Sequence, residues 1–206
     1  LYTTSYAEYG ETPGQFKKQG YNTDKFYTGV SNHDNDSLVN LSKNKDKRNI
    51  QMEGIFSDYD FDISKVKYKC KEYENQSEEE KKQEDFRNAK FAEIFTSAKQ
   101  FFTLPDMFGM EQRINISGKI SPDNWRVRIP YNYEDFYFSQ LSKGYGFNPA
   151  KAYENAFYMK HIDNPELTSK LAQAAEILRQ SGPCNEQDAN EADKRGELKN
   201  KLLLHA

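Results

Sequence analysis

An α/β chain built on parallel strands is the fold class this sequence predicts, and three observations lead there. The elements run strand, polar loop, helix, polar insert, helix, strand, loop, helix, the alternation a helix-covered parallel sheet requires. Both strand candidates, residues 25–30 (KFYTGV) and 100–104 (QFFTL), are short and β-prone, as strands buried on both faces are. A cluster of chemically capable side chains, Asn32-His33-Asp34-Asn35-Asp36, follows the first strand directly. Two strands cannot make a stable parallel sheet with both faces covered, so either more strands lie upstream or the irregular segments hide some, and a fragment is expected. It begins with Leu1 rather than Met, as a start within a longer protein would.

Each element has its own justification. Residues 1–24 carry Gly10, Pro13, Gly14 and Gly20 among tyrosines without a sustained period, and are expected to form a lead-in loop. After the first strand, Asn35 or Asp36 is placed to cap a helix that starts near Leu38, because a short polar side chain accepts an orphan N–H. Residues 42–83 form a polar insert in which Phe61, Ile63, Val66, Tyr68 and Cys70 alternate with charges, the pattern of a short solvated hairpin. The charge run at 76–85 (QSEEEKKQED) is expected to be an exposed helix start. Phe86, Ala89, Phe91, Ile94 and Phe95 then predict a helix over 84–97. The second strand is expected to stop at Pro105. Beyond it, 106–130 is expected to be mostly loop, with Gly109, Gly118, Pro122 and the single tryptophan, Trp125.

Asn148-Pro149 and Asn164-Pro165 each pair a capping residue with a first-turn proline, predicting helices over 149–161 and from 165 onward. The second carries Leu167, Leu171, Ala174 and Leu178 as its stripe and is expected to close at Gly182. The last 22 residues are polar, expected to fray or to be helical only by contact. The organisation is therefore a lead-in (1–24), a segment at 25–147 containing the insert near 42–83, and a helical tail (148–206).

Composition narrows the function. With 29 Lys+Arg against 32 Asp+Glu the net charge is −3, giving no basic surplus for nucleic acid. No apolar run approaches the ~18 residues of a membrane span. Cys70 and Cys184 build no disulfide or metal framework, and a cytoplasmic, reducing location is expected. The run Asp58-Tyr59-Asp60-Phe61-Asp62 begins like a calcium loop, but Ile63 stands where that loop needs Gly and Lys69 where it needs Glu. Gly144-Tyr145-Gly146 lacks the third glycine of a dinucleotide fingerprint. His33, His161 and His205 do not share zinc spacing. No metal or cofactor is implied.

What remains is the cluster at 32–36. An imidazole beside a carboxylate at the C-terminal end of a strand is where barrel enzymes put catalytic groups. Capping and turn chemistry would account for Asn35 and Asp36 without any substrate. The run Tyr27-Thr28-Gly29-Val30-Ser31-Asn32-His33-Asp34-Asn35-Asp36 resembles a conserved segment of the α-amylase clan, and most closely that of the 4-α-glucanotransferases (amylomaltases, disproportionating enzymes), where it ends the seventh strand of a (β/α)8 barrel. Residues 101–109 (FFTLPDMFG) resemble that family's eighth strand and following loop. Arg113, Asn115, Gly118 and Asn124-Trp125-Arg126-Val127-Arg128 resemble its RxN-PG-NWxWR signature. The resemblance covers about residues 25–130. Asn32 stands for the family's Thr, Ser117 for its Pro, and Val127 for an aromatic.

The resemblance implies that this chain supplies strands seven and eight of a (β/α)8 TIM barrel and their helices, followed by the helical tail. It implies a retaining transfer of α-1,4-glucan segments between maltooligosaccharides, a glycosyltransferase of glycogen or starch metabolism. In that reading Asp34 is the third carboxylate, stabilising the oxocarbenium-like transition state. His33 binds hydroxyls of the same glucosyl unit, and Asn115 and Trp125 take substrate-side roles; a lone tryptophan is otherwise more often a core residue than a sugar platform. The nucleophile and the acid/base carboxylate such a mechanism needs would come from the remainder of the barrel, upstream, so this chain alone is expected not to turn over. A non-catalytic glucan-binding or interaction protein derived from such an enzyme is the alternative.

Overall fold

The computed structural model describes residues 2–5 and 26–181. Strand β1 (Tyr2–Ser5) pairs in parallel with β2 (Phe26–Gly29), Tyr2 facing Phe26 and Ser5 facing Gly29. On its other side β2 meets the chain at Gln100, again in parallel: the Thr28 N–H donates to the Lys99 carbonyl and the Phe101 N–H to the Thr28 carbonyl, both at 3.0 Å. β2 is thus the middle of three parallel segments, which do not close into a barrel among the described residues. Helices make up most of the rest. The lead-in expected to be a loop carries a strand at β1; residues 6–25 lie outside the described residues, as do Gly182, Cys184, His205 and the rest of the tail.

The long crossover from β2 to Gln100 is helical. Helix α1 (Leu38–Lys43) is capped by Ser37, whose hydroxyl accepts from the Asn40 N–H, rather than by Asn35 or Asp36, which stay in the preceding loop. Asn44 closes α1 and caps α2 (Lys45–Tyr59). The hairpin expected over 61–70 is not formed. A 3-10 turn (Ile63–Val66) and a single helical turn, α3 (Lys71–Glu74), follow α2 instead. The alternation has another cause. The segment wraps over the helices, so Phe61 joins the α2 cluster with Ile55 and Tyr59, while Tyr68, Cys70 and Tyr73 join a second cluster with Ala150 and Ala175.

Helix α4 (Glu78–Phe95) opens with a capping box, Ser77 accepting from the Glu80 N–H while the Glu80 carboxylate takes the Ser77 N–H. Pro105 ends no strand. It sits in the first turn of α5 (Leu104–Phe108), capped by Thr103, because proline's missing N–H costs nothing there. Gly29 is required where the sheet meets this turn: a Cβ there would lie 2.4 Å from the Phe101 ring. Helix α6 (Tyr133–Ser142) has no counterpart among the sequence expectations. Helices α7 (Pro149–Met159) and α8 (Pro165–Gln180) start at the Asn-Pro pairs as expected. Among the described residues no helix is long and apolar enough to cross a membrane.

Helix α4 is central, packed against α1, α2 and α7, with α8 on α7. Rings fill much of the core: the Phe102 and Phe147 rings each lie 4.7–6.2 Å from both Phe91 and Phe95, and 4.7 Å from each other. Charge fills the rest. The run at 76–85 is exposed at 77–80 and at Lys82, but Glu84 is buried and takes a two-pronged ion pair from Arg179 of α8, at 2.9 and 3.0 Å. Arg87 donates to the Gly144 carbonyl and to the Ser42 hydroxyl, and Lys90 pairs with Glu93 one turn on. Lys151 pairs with Glu154 at 3.0 Å while sitting over the Tyr68 ring. The stripe expected on α8 is displaced: Leu167 is exposed, Leu171, Ala174 and Leu178 are part-buried, and Ala175 with Arg179 forms the innermost face.

Two outcomes are expected. Arg179→Met leaves the Glu84 carboxylate buried without its partner, lowering stability by about 3–5 kcal/mol in urea titrations, and adding Glu84→Gln recovers much of the loss. Asp85, mostly buried against the Tyr73 hydroxyl at 2.9 Å, is pushed up to about 6 by that burial. A carboxyl raised in the folded state favours folding while protonated, so its contribution is greatest below the ordinary aspartate range and is lost as pH rises through about 6. The stability of Asp85→Asn relative to the parent should therefore climb between those limits, by at most about 3 kcal/mol.

Candidate functional site

The residues that follow β2 form a loop from Ser31 to Ser37 at the strand's C-terminal end. Asn32 shapes it from inside: its side-chain carbonyl accepts the Asp34 N–H at 2.8 Å and its main-chain carbonyl accepts the Asn35 N–H at 3.2 Å. The Asn35 side-chain oxygen accepts the Asn32 N–H in return. These are the turn bonds Asn makes with its own backbone, and they hold His33 and Asp34 outward. Half of the His33 side chain and 40% of that of Asp34 are exposed, with His33 Nε2 3.3 Å from Asp34 Oδ2.

The segment after α5 lies against this loop. Asn115 Nδ2 donates to Asp34 Oδ1 at 2.5 Å, and the Asn115 N–H donates to the His33 carbonyl at 2.9 Å. Arg113 reaches the Asp34 main-chain carbonyl, and its other nitrogen stands 3.4 Å from Asp36 Oδ1. Trp125 packs its ring beside His33, centroids 5.1 Å apart, while remaining 58% exposed. It is therefore not a core residue. Its backbone sits in the left-handed region at φ 63°, rare for a bulky side chain, and its N–H is held by the Ile114 carbonyl at 2.6 Å. The loop between them is braced by Asn124, which accepts from the Ile116 N–H and donates to the Lys119 carbonyl.

The four site residues expected from the sequence, His33, Asp34, Asn115 and Trp125, thus come together although they span 93 positions of the chain. The Asn115 hydrogen bond, a further one from Ser117 and the neighbouring His33 and Arg113 hold the Asp34 carboxyl below its ordinary value. The arrangement presents an accessible carboxylate that is already paired on one edge, an imidazole beside it and an indole flanking both. Such a set has the chemistry to hydrogen-bond a neutral hydroxyl-bearing group and to stabilise positive charge developing next to Asp34.

Four contributing residues were not singled out in the sequence. Arg113 was visible only as part of a motif. Asp106 and Thr103 lie on the far side of β2, where nothing in their spacing connects them to the loop; Ser31 begins the loop but shows no chemistry until Asp106 is beside it. Burial pushes the Asp106 carboxyl up, against the pull of its bonds from Ser31, Leu38 and Thr103. Elsewhere, a cleft of about 500 Å³ between α7, α8 and the 67–69 segment is lined by Lys69, Lys151, Glu154, Tyr158 and Glu176, and it shares no lining residue with the Asp34 site. Burial pushes the Cys70 thiol up to about 12, which disfavours the nucleophilic thiolate. No group of three or more potential metal-ligating side chains converges among the described residues. No family model, curated protein or solved structure matches this chain.

Removing the Asn115 amide should release Asp34. In Asn115→Ala the Asp34 titration, followed by the 13C shift of its carboxyl, is expected to move up toward the ordinary value of 3.8. Because the folded value is depressed, the stabilisation of the loop by this contact is complete above that ordinary value and disappears as pH falls through the depressed one.

Proposed function

We propose that this chain is the C-terminal portion of a 4-α-glucanotransferase that transfers α-1,4-glucan segments between maltooligosaccharides with retention of configuration. The observation that carries this reading is the Asp34 carboxylate, exposed at the C-terminal end of a parallel strand, kept ionised by Asn115 and flanked by His33 and Trp125. An exposed carboxylate held ionised is suited to a transition state in which the sugar ring gains oxocarbenium character. His33 offers a ring nitrogen to the hydroxyls of the same sugar, and the Trp125 face offers an apolar wall to a neighbouring one. Asn115 acts through Asp34, as the donor on its inner edge, rather than on substrate directly.

The parallel pairing on both sides of β2 supports a barrel in which further strands, carrying the nucleophile and the acid/base carboxylate, complete the sheet. The family resemblance of residues 25–130 supports the same assignment. In the complete protein, Asp34→Asn is expected to lower glucose release from maltotriose by about 10²–10³-fold while maltotriose binding, measured by calorimetry, stays within about threefold of the parent. Turnover near the parental rate would remove Asp34 from the chemistry and the reading with it. The 206-residue chain alone is expected to bind maltotriose, seen as a rise in melting temperature, without releasing glucose.

A further inference from the structure

A single carboxylate, deeply buried and out of reach of any ligand, grips both ends of the loop that carries the site. Asp106 is 2% exposed. Its Oδ2 accepts from the Ser31 hydroxyl, where the loop leaves β2, and from the Thr103 hydroxyl at 3.0 Å. Its Oδ1 accepts the Leu38 N–H at 2.7 Å, where the loop enters α1. Ser31 and Thr103 also stand 3.2 Å apart, oxygen to oxygen. Both loop ends and the start of α5 therefore converge on one group.

Helix capping accounts for only one of these bonds, that from the Leu38 N–H, a first-turn donor of α1. The first turn of α1 is already capped by Ser37, and α5 by Thr103. The Asp106 bonds to Ser31 and Leu38 come in addition, and they tie together two points seven residues apart whose separation sets the width of the loop. The crown of that loop is fixed from the other side by Arg113 and Asn115. With both ends pinned, the bonds at the crown hold one geometry; with the ends free, the crown would shift relative to Asn115, and Asp34 with it. We propose that Asp106 is a positioning residue for Asp34, acting by clamping Ser31 and Leu38 beneath the loop. The functional weight of the clamp rests on the role given to Asp34 above; the clamp itself does not.

The test uses Asp106→Asn in this chain. The amide keeps the size of the carboxyl but loses its charge, and the Ser31 and Thr103 hydroxyls must turn to accept from its NH2, so the charge-assisted grip on the start of the loop is replaced by weaker bonds. Hydrogen exchange at the Asn35 and Asn115 amides, both bonded within or to the loop, is expected to quicken by about tenfold or more relative to amides in α7 and α8. The Asp34 carboxyl titration is expected to move up as its contact with Asn115 loosens, and Asp106→Glu, which restores the charge, to recover part of both changes. If Asp106→Asn does not fold, Thr103→Val and Ser31→Ala each delete one donor, and the same two readouts should move in the same direction by less. A folded Asp106→Asn in which loop exchange and the Asp34 titration match the parent overturns the proposal, as would single-donor variants that leave both unchanged. Retained transfer by Asp34→Asn in the complete protein would overturn the glucanotransferase reading and leave the clamp standing, because neither readout here depends on turnover.

Discussion

A charge removed from water has to meet an opposite charge or a full set of hydrogen bonds, and this core removes several. Glu84 and Arg179 are the pair on which the helical layer depends, since they are 95 residues apart and join α4 to α8. Around them Arg87 satisfies the turn at Gly144, and Lys151 with Glu154 fills the space against Tyr68. A hydrophobic content of 36% is low for a core of this extent, and paired charges with large rings make up the difference. The Glu84–Arg179 pair ties α4 to α8, whereas Lys90–Glu93 and Lys151–Glu154 each lie within one helix.

The same rule operates at the sheet. Asp106 is buried only because three donors converge on it, and that convergence joins the end of β2 to the starts of α1 and α5. Parallel pairing sets β2 between β1 and the Gln100 segment, so everything that follows β2 emerges at one end of the sheet. The loop at 31–37 and the strap carrying Arg113, Asn115 and Trp125 meet there. Burial holds the frame below, while exposure above leaves His33, Asp34 and Trp125 open to a ligand.

Much of the local structure was legible because its causes are local. Asn-Pro pairs announced α7 and α8, the charge run at 76–85 announced the start of α4, and the KFYTGV run announced β2. The hairpin over 61–70 failed because period-two alternation says only that every second residue is buried, and Tyr68 and Cys70 are buried against helices rather than on a strand. Pro105 was misassigned because the same residue ends a strand and begins a helix, and only Thr103 capping α5 distinguishes the two. Helix α6 carries Tyr133, Phe136, Tyr137 and Leu141 at helical spacing, a signal that only Phe138 interrupts.

The sequence by itself determined the cluster at 32–36, its place after a β-prone run, and the Arg113, Asn115 and Trp125 signature that resembles a glucanotransferase. Side-chain type and spacing are properties of the chain, and they carry chemical capability into any fold. Only the tertiary structure decided that Asn115 bonds to Asp34, that Trp125 stands exposed beside His33, and that Asp106 closes the loop from beneath. Those contacts join residues 68 to 92 positions apart, and nothing local to either partner encodes them: they exist because parallel pairing and buried charge bring distant segments to the same end of the sheet.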